Sequence, residues 1–329
     1  MKTTNIESIL PKEKVFLAVA VPFDELSDHL ISMLHANCSL VWLDVAGFHK
    51  NNFFNFIWKK PDEIEAKSSN NNKNKVPNYS KSPNLVIFYD LNTSQLIEMY
   101  YVYSLKHKWN LELCDSYVKP STISGRKRRQ NTKSTDIYYV CQFRATHDSY
   151  INDKGNKDLA IHLNKLQISI PERKFDEYHR EATKYNYKQL YGPANIHPIV
   201  VNIDNDKNKQ AFYMSLYKPI DKETIFFIEN DLSDSQVMDV FINYTIKNLK
   251  LIYIKAYKNE KQILKFTIIF TNNPPYEGTC QLFIGLNRSE LSNKIISMRE
   301  KQLYPAIISN YGIMTVNGDH LFAAFFNQV

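Results

Sequence analysis

Hydrophobic and polar positions along this chain fall into one order that recurs. A short apolar run, "VFLAVAVP", is followed by a segment with apolar residues at Leu26, Leu30, Met33 and Leu34. That i, i+4, i+7, i+8 spacing is the stripe of a helix lying on a sheet. An alternating run, "LVWLDVAGF", then predicts a strand, and a polar turn leads to a closing strand, "FFNFIWKK". The same order returns at the end of the chain as "CQLFIGL", a helix, "YPAIISNYG" and "LFAAFFNQV". The two helix segments, "ELSDHLISM" at 25–33 and "ELSNKIISM" at 290–298, are identical at six of nine positions with an offset of 265 residues. A repeat on this scale decides how everything between must be read.

Three more copies fit the intervening residues. The second has a strand over 85–89, a helix around 94–106 and strands over 111–118 and 137–143. The third has a strand over 166–170, a helix around 175–188 and strands over 198–204 and 211–217. The fourth has a strand over 224–228, a helix around 234–247 and strands over 251–257 and 264–270. The predicted organisation is therefore repeat unit one (1–60), a low-complexity linker (61–83), unit two (84–145), a connector (146–163), and units three (164–219), four (220–273) and five (274–329). One unit cannot cover both faces of its own sheet, so neighbours must stack. The expected fold class is α+β: five βαββ repeats forming a curved half-barrel or a closed pseudo-five-fold ring, with the helices outside.

A helix with one apolar stripe covers one sheet face and leaves the other to line a concave surface. In unit one, Val41, Leu43 and Val45 are expected to face the helix, and Trp42 and Asp44 the other way. In unit four, Ile252, Ile254 and Ala256 face the helix and Tyr253, Lys255 and Tyr257 oppose them. The same parity places Asn202, Asp204, Tyr213 and Tyr217 of unit three, and Ser309 and Tyr311 of unit five, on the helix-free face. Aromatic rings that stack and side chains that hydrogen-bond directionally suit a carbohydrate or peptide ligand. Strand aromatics also fill cores, because pleated surfaces favour Tyr and Phe.

Several of these features resemble the bacterial tandem repeat family, whose repeats stand beside serine-hydrolase domains, including those of fungal polyglycine hydrolases. The matching features are Tyr304-Pro305 and His197-Pro198 opening strands, Gly47 and Gly312 near strand ends, an Asn317-Gly318 turn, and closing aromatic strands at 322–326 and 56–60. The resemblance implies a recognition or scaffold part and not a catalyst. Five-fold βαββ order is also similar to the pentein propellers, which include enzymes with a cysteine nucleophile near the C-terminus. That likeness would make Cys280 the nucleophile of a hydrolase.

Composition narrows the choice. The chain is 43% hydrophobic and 13% aromatic, enough for a core, so global disorder is excluded. No GxGxxG or GxxxxGK[ST] occurs. Ser116-x-x-Lys119 and Ser124-x-x-Lys127 exist, but neither opens a predicted helix, as a serine hydrolase of that type requires. The histidines show no HExxH spacing and the four cysteines no CxxC, so neither metal nor cofactor is expected. His197 reads as turn chemistry before Pro198. Whether Cys114 and Cys141 pair is open. No apolar run approaches the roughly 18 residues of a membrane span, and no clear signal peptide is present, so a cytoplasmic or a processed secreted form is expected. Exposed edge strands in an open array would favour self-association.

The formal net charge is +7, and residues 119–135 hold six cations and no acid: Lys119, Arg126, Lys127, Arg128, Arg129 and Lys133. This basic loop is a hairpin insertion in unit two, and the body without it is nearly neutral. Arg126, Lys127, Arg128, Arg129 and Lys133 give a second reading, polyanion or nucleic-acid binding. The primary expectation is a non-enzymatic repeat scaffold that binds a carbohydrate or peptide.

Overall fold

The computed structural model describes residues 15–48, 51–60, 85–118, 137–145, 164–171, 174–183, 190–204, 208–221, 223–259, 261, 263–274, 276–314 and 319–328. The order strand, helix, strand, strand occurs five times. The first set is β1 (Val15–Pro22), α1 (Phe23–His35), β2 (Ser39–Phe48) and β3 (Asn51–Lys59). The second is β4 (Leu85–Asn92), α2 (Thr93–Met99, continued as a π-helical stretch over Tyr100–Lys106), β5 (Trp109–Val118) and β6 (Ile137–Ala145). The third is β7 (Lys165–Pro171), α3 (Phe175–Thr183), β8 (Leu190–Asp204) and β9 (Asn208–Ile220). The fourth is β10 (Phe226–Leu232), α4 (Asp234–Ile246), β11 (Lys250–Lys258) and β12 (Leu264–Thr271). The fifth is β13 (Cys280–Leu286), α5 (Arg288–Arg299), β14 (Tyr304–Met314) and β15 (His320–Asn327).

Each set forms its own three-stranded antiparallel sheet with the last strand in the middle, in the order β1-β3-β2 and its equivalents. The second strand of every set is therefore a sheet edge. These edges pack on one another: β2 against β5 and β14, β5 against β8, β8 against β11, and β11 against β14.

The expected half-barrel or closed ring with helices outside is overturned. The described residues are mostly strand, in five small separate sheets, and no closed barrel joins them. Nor do the five helices make an outer layer. Their apolar stripes are wedged between one sheet and the next. Leu26 and Leu30 of α1 share a cluster with Tyr117 and Val140 of the second sheet. Val237 and Phe241 of α4 share one with Leu282, Ile307 and Phe325 of the fifth. Leu291, Ile295 and Met298 of α5 share one with Leu17, Val19 and Ile57 of the first. A helix with apolar neighbours on two sides gains more burial than one lying on a single sheet, and that is the physical reason for the difference.

Local chemistry repeats with the order. Asn92 and Asn287 cap α2 and α5, each accepting from the N–H three residues on (Gln95 and Glu290, both 2.9 Å), while those side chains accept from the cap N–H groups in return. After each of four helices the chain turns through a left-handed residue, Asn37, Lys108, Asn248 and Gln302. Another left-handed residue sits in the bulge of each of four first strands, at Ala20, Asp90, Asp231 and Gly285. β8 begins at Leu190, eight residues before the predicted strand at 198, and α3 ends at Thr183.

Phe325 of β15 is fully buried, 6.4 Å from the Phe241 ring of α4 and 5.5 Å from Tyr276. Phe325→Ala is expected to lower the unfolding free energy by about 3–5 kcal/mol in urea denaturation.

Candidate functional site

Every second strand carries one bulge near its start. The extra residues are Val41, Glu112, Ala194, Ile252 and Ala306, which fall where the pairing register jumps against β3, β6, β9, β12 and β15. Three residues beyond each of them stand Asp44, Asp115, His197, Lys255 and Ser309, at equivalent places in the five sheets. All five are buried. They meet at the centre, where the five edge strands pack together.

The centre is wired by a rule. Asp115 accepts from the backbone N–H of Val45, the residue after Asp44, at 2.6 Å. Asp44 accepts from the N–H of Asn310, the residue after Ser309, at 2.9 Å. Ser309 Oγ accepts from the N–H of Ala256, the residue after Lys255, at 3.0 Å. In each case a central side chain satisfies an edge N–H of the preceding sheet, a group that would be costly to bury unpaired. Lys255 cannot accept. The residue it would have to serve, after His197, is Pro198, which has no N–H to satisfy. The turn role expected for His197-Pro198 is therefore corrected: both lie within β8, and His197 is one of the central five.

Lys255 is buried and all three of its donors are used, by Asp44 Oδ1 (2.6 Å), Asp115 Oδ2 (2.8 Å) and the Val45 carbonyl (2.8 Å). Asp44 also accepts from Asn55 Nδ2 at 2.8 Å, and Asn55 in turn accepts from the N–H of the bulge residue Ala20 at 2.9 Å. His197 Nδ1 donates to Asp115 Oδ1 and lies 3.1 Å from Ser116 Oγ. Burial would lower the Lys255 amine, but Asp115 and Asp44 outweigh it and hold it above its usual range. Burial would raise the Asp115 carboxyl, but His197 and Lys255 hold it well below its usual range. Burial pulls His197 down, against the pull of Asp115. Removing one partner of such a set leaves a charge without compensation in a dry place. The charges of Asp44, Asp115 and Lys255 answer one another, so this cluster is a structural lock between the sheets.

Above the lock lies a cavity of about 220 Å³. All five bulge residues line it, with the next residues along, Trp42, Leu113, Asn195, Tyr253 and Ile307, and with Tyr276 and Lys218. Asp44, Asp115 and Lys255 reach its floor. Trp42 Nε1 donates to the Ile308 carbonyl at 3.0 Å, and the Trp42 and Tyr253 rings lie 5.8 Å apart. Tyr276 Oη donates to the Leu251 carbonyl at 2.8 Å. Asn195 is satisfied through Cys114 O and the Leu216 N–H. Glu112 Oε2 accepts from both Arg144 Nε and Gln142 Nε2 at 2.8 Å. Crowding by protein lowers the Lys218 amine, with Glu112 pulling the other way.

The expected concave face is not an open surface. Asp44, Lys255 and Ser309 belong to the lock, and Trp42 and Tyr253 to the cavity wall. Tyr213 is buried 4.4 Å from the Phe175 ring. Tyr217 is buried with its hydroxyl 2.9 Å from His179 Nδ1. Tyr311 is buried and its oxygen accepts from the Gly285 N–H. Tyr257 is half-buried on β11. Asn202 and Asp204 pair with Lys209 and Asn208 near the far end of β8, remote from the bulge. The bulges also correct the parity expected for Val41 and Ile252. These are the extra residues and line the cavity, while Leu40 and Leu251 take the helix-side places. Residues 119–136, with Arg126, Lys127, Arg128, Arg129 and Lys133, lie outside the described residues, as do residues 61–84 and 146–163.

Cys114 and Cys141 are cross-strand neighbours, both buried and both free thiols. Burial pushes the Cys280 thiol up, with Lys250 and Tyr276 pulling down. A thiol raised in this way is a poor nucleophile at neutral pH. No group of three His, Cys, Asp or Glu residues that could hold a metal occurs among the described residues, and none of their helices is long and apolar enough to cross a membrane. Neither a family model nor a curated protein matches this chain.

Burial lowers four histidines, His29 (to about 4), His179, His197 and His320. His29 Nε2 accepts from Trp58 Nε1 at 3.1 Å, which needs the neutral ring. Their folded-state pKa values lie below the ordinary value near 6.5, so the unfolded chain takes up protons first as pH falls. Stability is expected to be fully present above pH ~6.5 and to decline towards pH ~4 in chemical denaturation at a series of pH values. His29→Gln, which keeps an acceptor for Trp58, should flatten that slope.

Proposed function

We propose that this chain is a non-catalytic binding protein that takes one small polar ligand, a single sugar ring or a single amino acid, into its central cavity. The observation that carries this reading is a cavity of about 220 Å³ walled by the five bulges over a floor whose charges are already saturated. That volume is below the roughly 300–1,000 Å³ of pockets for drug-sized ligands, which argues for a compact ligand. Trp42 and Tyr253 supply stacking faces, and the strand edges supply backbone polar groups. The primary expectation of a carbohydrate or peptide on an open sheet face narrows to one sugar or one amino acid, because the aromatic rows are buried. A recognition part and not a catalyst is also what the likeness to tandem repeats implies.

Binding is expected to alter Trp42 emission and to raise the melting temperature in screens of neutral hexoses and free amino acids. Ala306→Phe, which fills the cavity from one bulge, should reduce affinity by about tenfold or more, or about 1.4 kcal/mol. Binding that is indifferent to Ala306→Phe, or absent from both ligand sets, would overturn the reading.

A further inference from the structure

Among the five bulge residues only Glu112 is charged, and among all the residues lining the cavity only Lys218 has a cation left over. Glu112 spends Oε2 on Arg144 and Gln142, and among the described residues its Oε1 makes no hydrogen bond. Lys218 Nζ, among the described residues, makes neither a hydrogen bond nor an ion pair within 4.0 Å. The lysine stands on β9 and the glutamate on β5, so two different sheets bring them to one cavity. They attract one another without touching. A gap between an uncommitted ammonium and an uncommitted carboxylate oxygen is the complement of a molecule that carries the two opposite charges close together. The other cavity charges cannot play this part, since Lys255, Asp44 and Asp115 are consumed by the lock.

We infer that the ligand is a zwitterion of the α-amino acid class, its carboxylate on Lys218, its ammonium on Glu112 Oε1, and its side chain turned towards Trp42 and Tyr253. This inference rests on the proposed binding role of the cavity and chooses between its two ligand sets. Charge-assisted hydrogen bonds of this kind are stronger than neutral ones, and both are required at once. A neutral sugar would forgo both charge-assisted hydrogen bonds.

Isothermal titration calorimetry of the full chain tests it, with each of the twenty free L-amino acids, with the carboxamide and N-acetyl derivatives of the tightest, and with neutral hexoses. At least one free amino acid is expected to bind, and blocking either charge should weaken it by about tenfold or more. Lys218 is solvent-accessible, so Lys218→Gln leaves the fold intact; it should abolish the preference for the free acid over its carboxamide. Equal binding of the free amino acid and its blocked derivatives would overturn the inference. So would a hexose that binds alone and is unaffected by Lys218→Gln, and that outcome would leave the cavity reading standing. If neither set binds, both fall together.

Discussion

The Lys255 ammonium, held between the carboxylates of Asp44 and Asp115 away from water, is the interaction on which the rest of this structure depends. Each of the five sheets ends in an edge strand that points its backbone groups inwards, and such edges are costly unless they are answered. Here side chains answer them in sequence. Two carboxylates and a serine hydroxyl accept the N–H groups of Val45, Asn310 and Ala256. Accumulating carboxylates in a dry centre requires a cation, and a cation accepts nothing. Pro198 resolves that conflict by removing the N–H that Lys255 could not have served. The residue types at the centre are therefore chosen against one another, across sheets that lie up to 266 residues apart in the chain.

The same bulges that create the lock also shape the cavity above it. One extra residue near the start of each second strand turns the next side chains inwards and leaves a recess above them. Beyond the charges of the lock, the recess is lined by aromatic faces, one lysine and one glutamate. Burial raises the Cys280 thiol, and the Ser116 hydroxyl faces His197.

Much of this was legible in the sequence, and the failures are physical. The repeat order shows in the 25–33 and 290–298 segments, and simple alternation puts Asp44, Lys255 and Ser309 on one face. Alternation cannot show a bulge, because one extra residue inverts the parity of all that precedes it; that is why Val41 and Ile252 were assigned to the helix side. Asp115 and His197 were missed for different reasons. A strand opening at Pro198 leaves His197 outside it and points to Asn202 and Asp204 as the polar face of unit three, whereas β8 opens at Leu190. Asp115 lies in the run LELCDSYV, where polar and apolar residues do not separate into two faces by simple alternation. Superposing the five second strands on one charged or polar position would have found both. Where the helices pack was hidden for another reason: a single apolar stripe does not say how many sheets it touches.

The most direct test is a double-mutant cycle of Asp44→Asn and Lys255→Met, read by urea unfolding. Lys255→Met alone should cost about 3–5 kcal/mol, because it leaves two buried carboxylates facing one another. The pair should couple by about 1–3 kcal/mol, with the double variant less damaged than the sum of the single ones. Strictly additive effects, or a loss below about 0.5 kcal/mol for Lys255→Met, would contradict a centre held by this interaction.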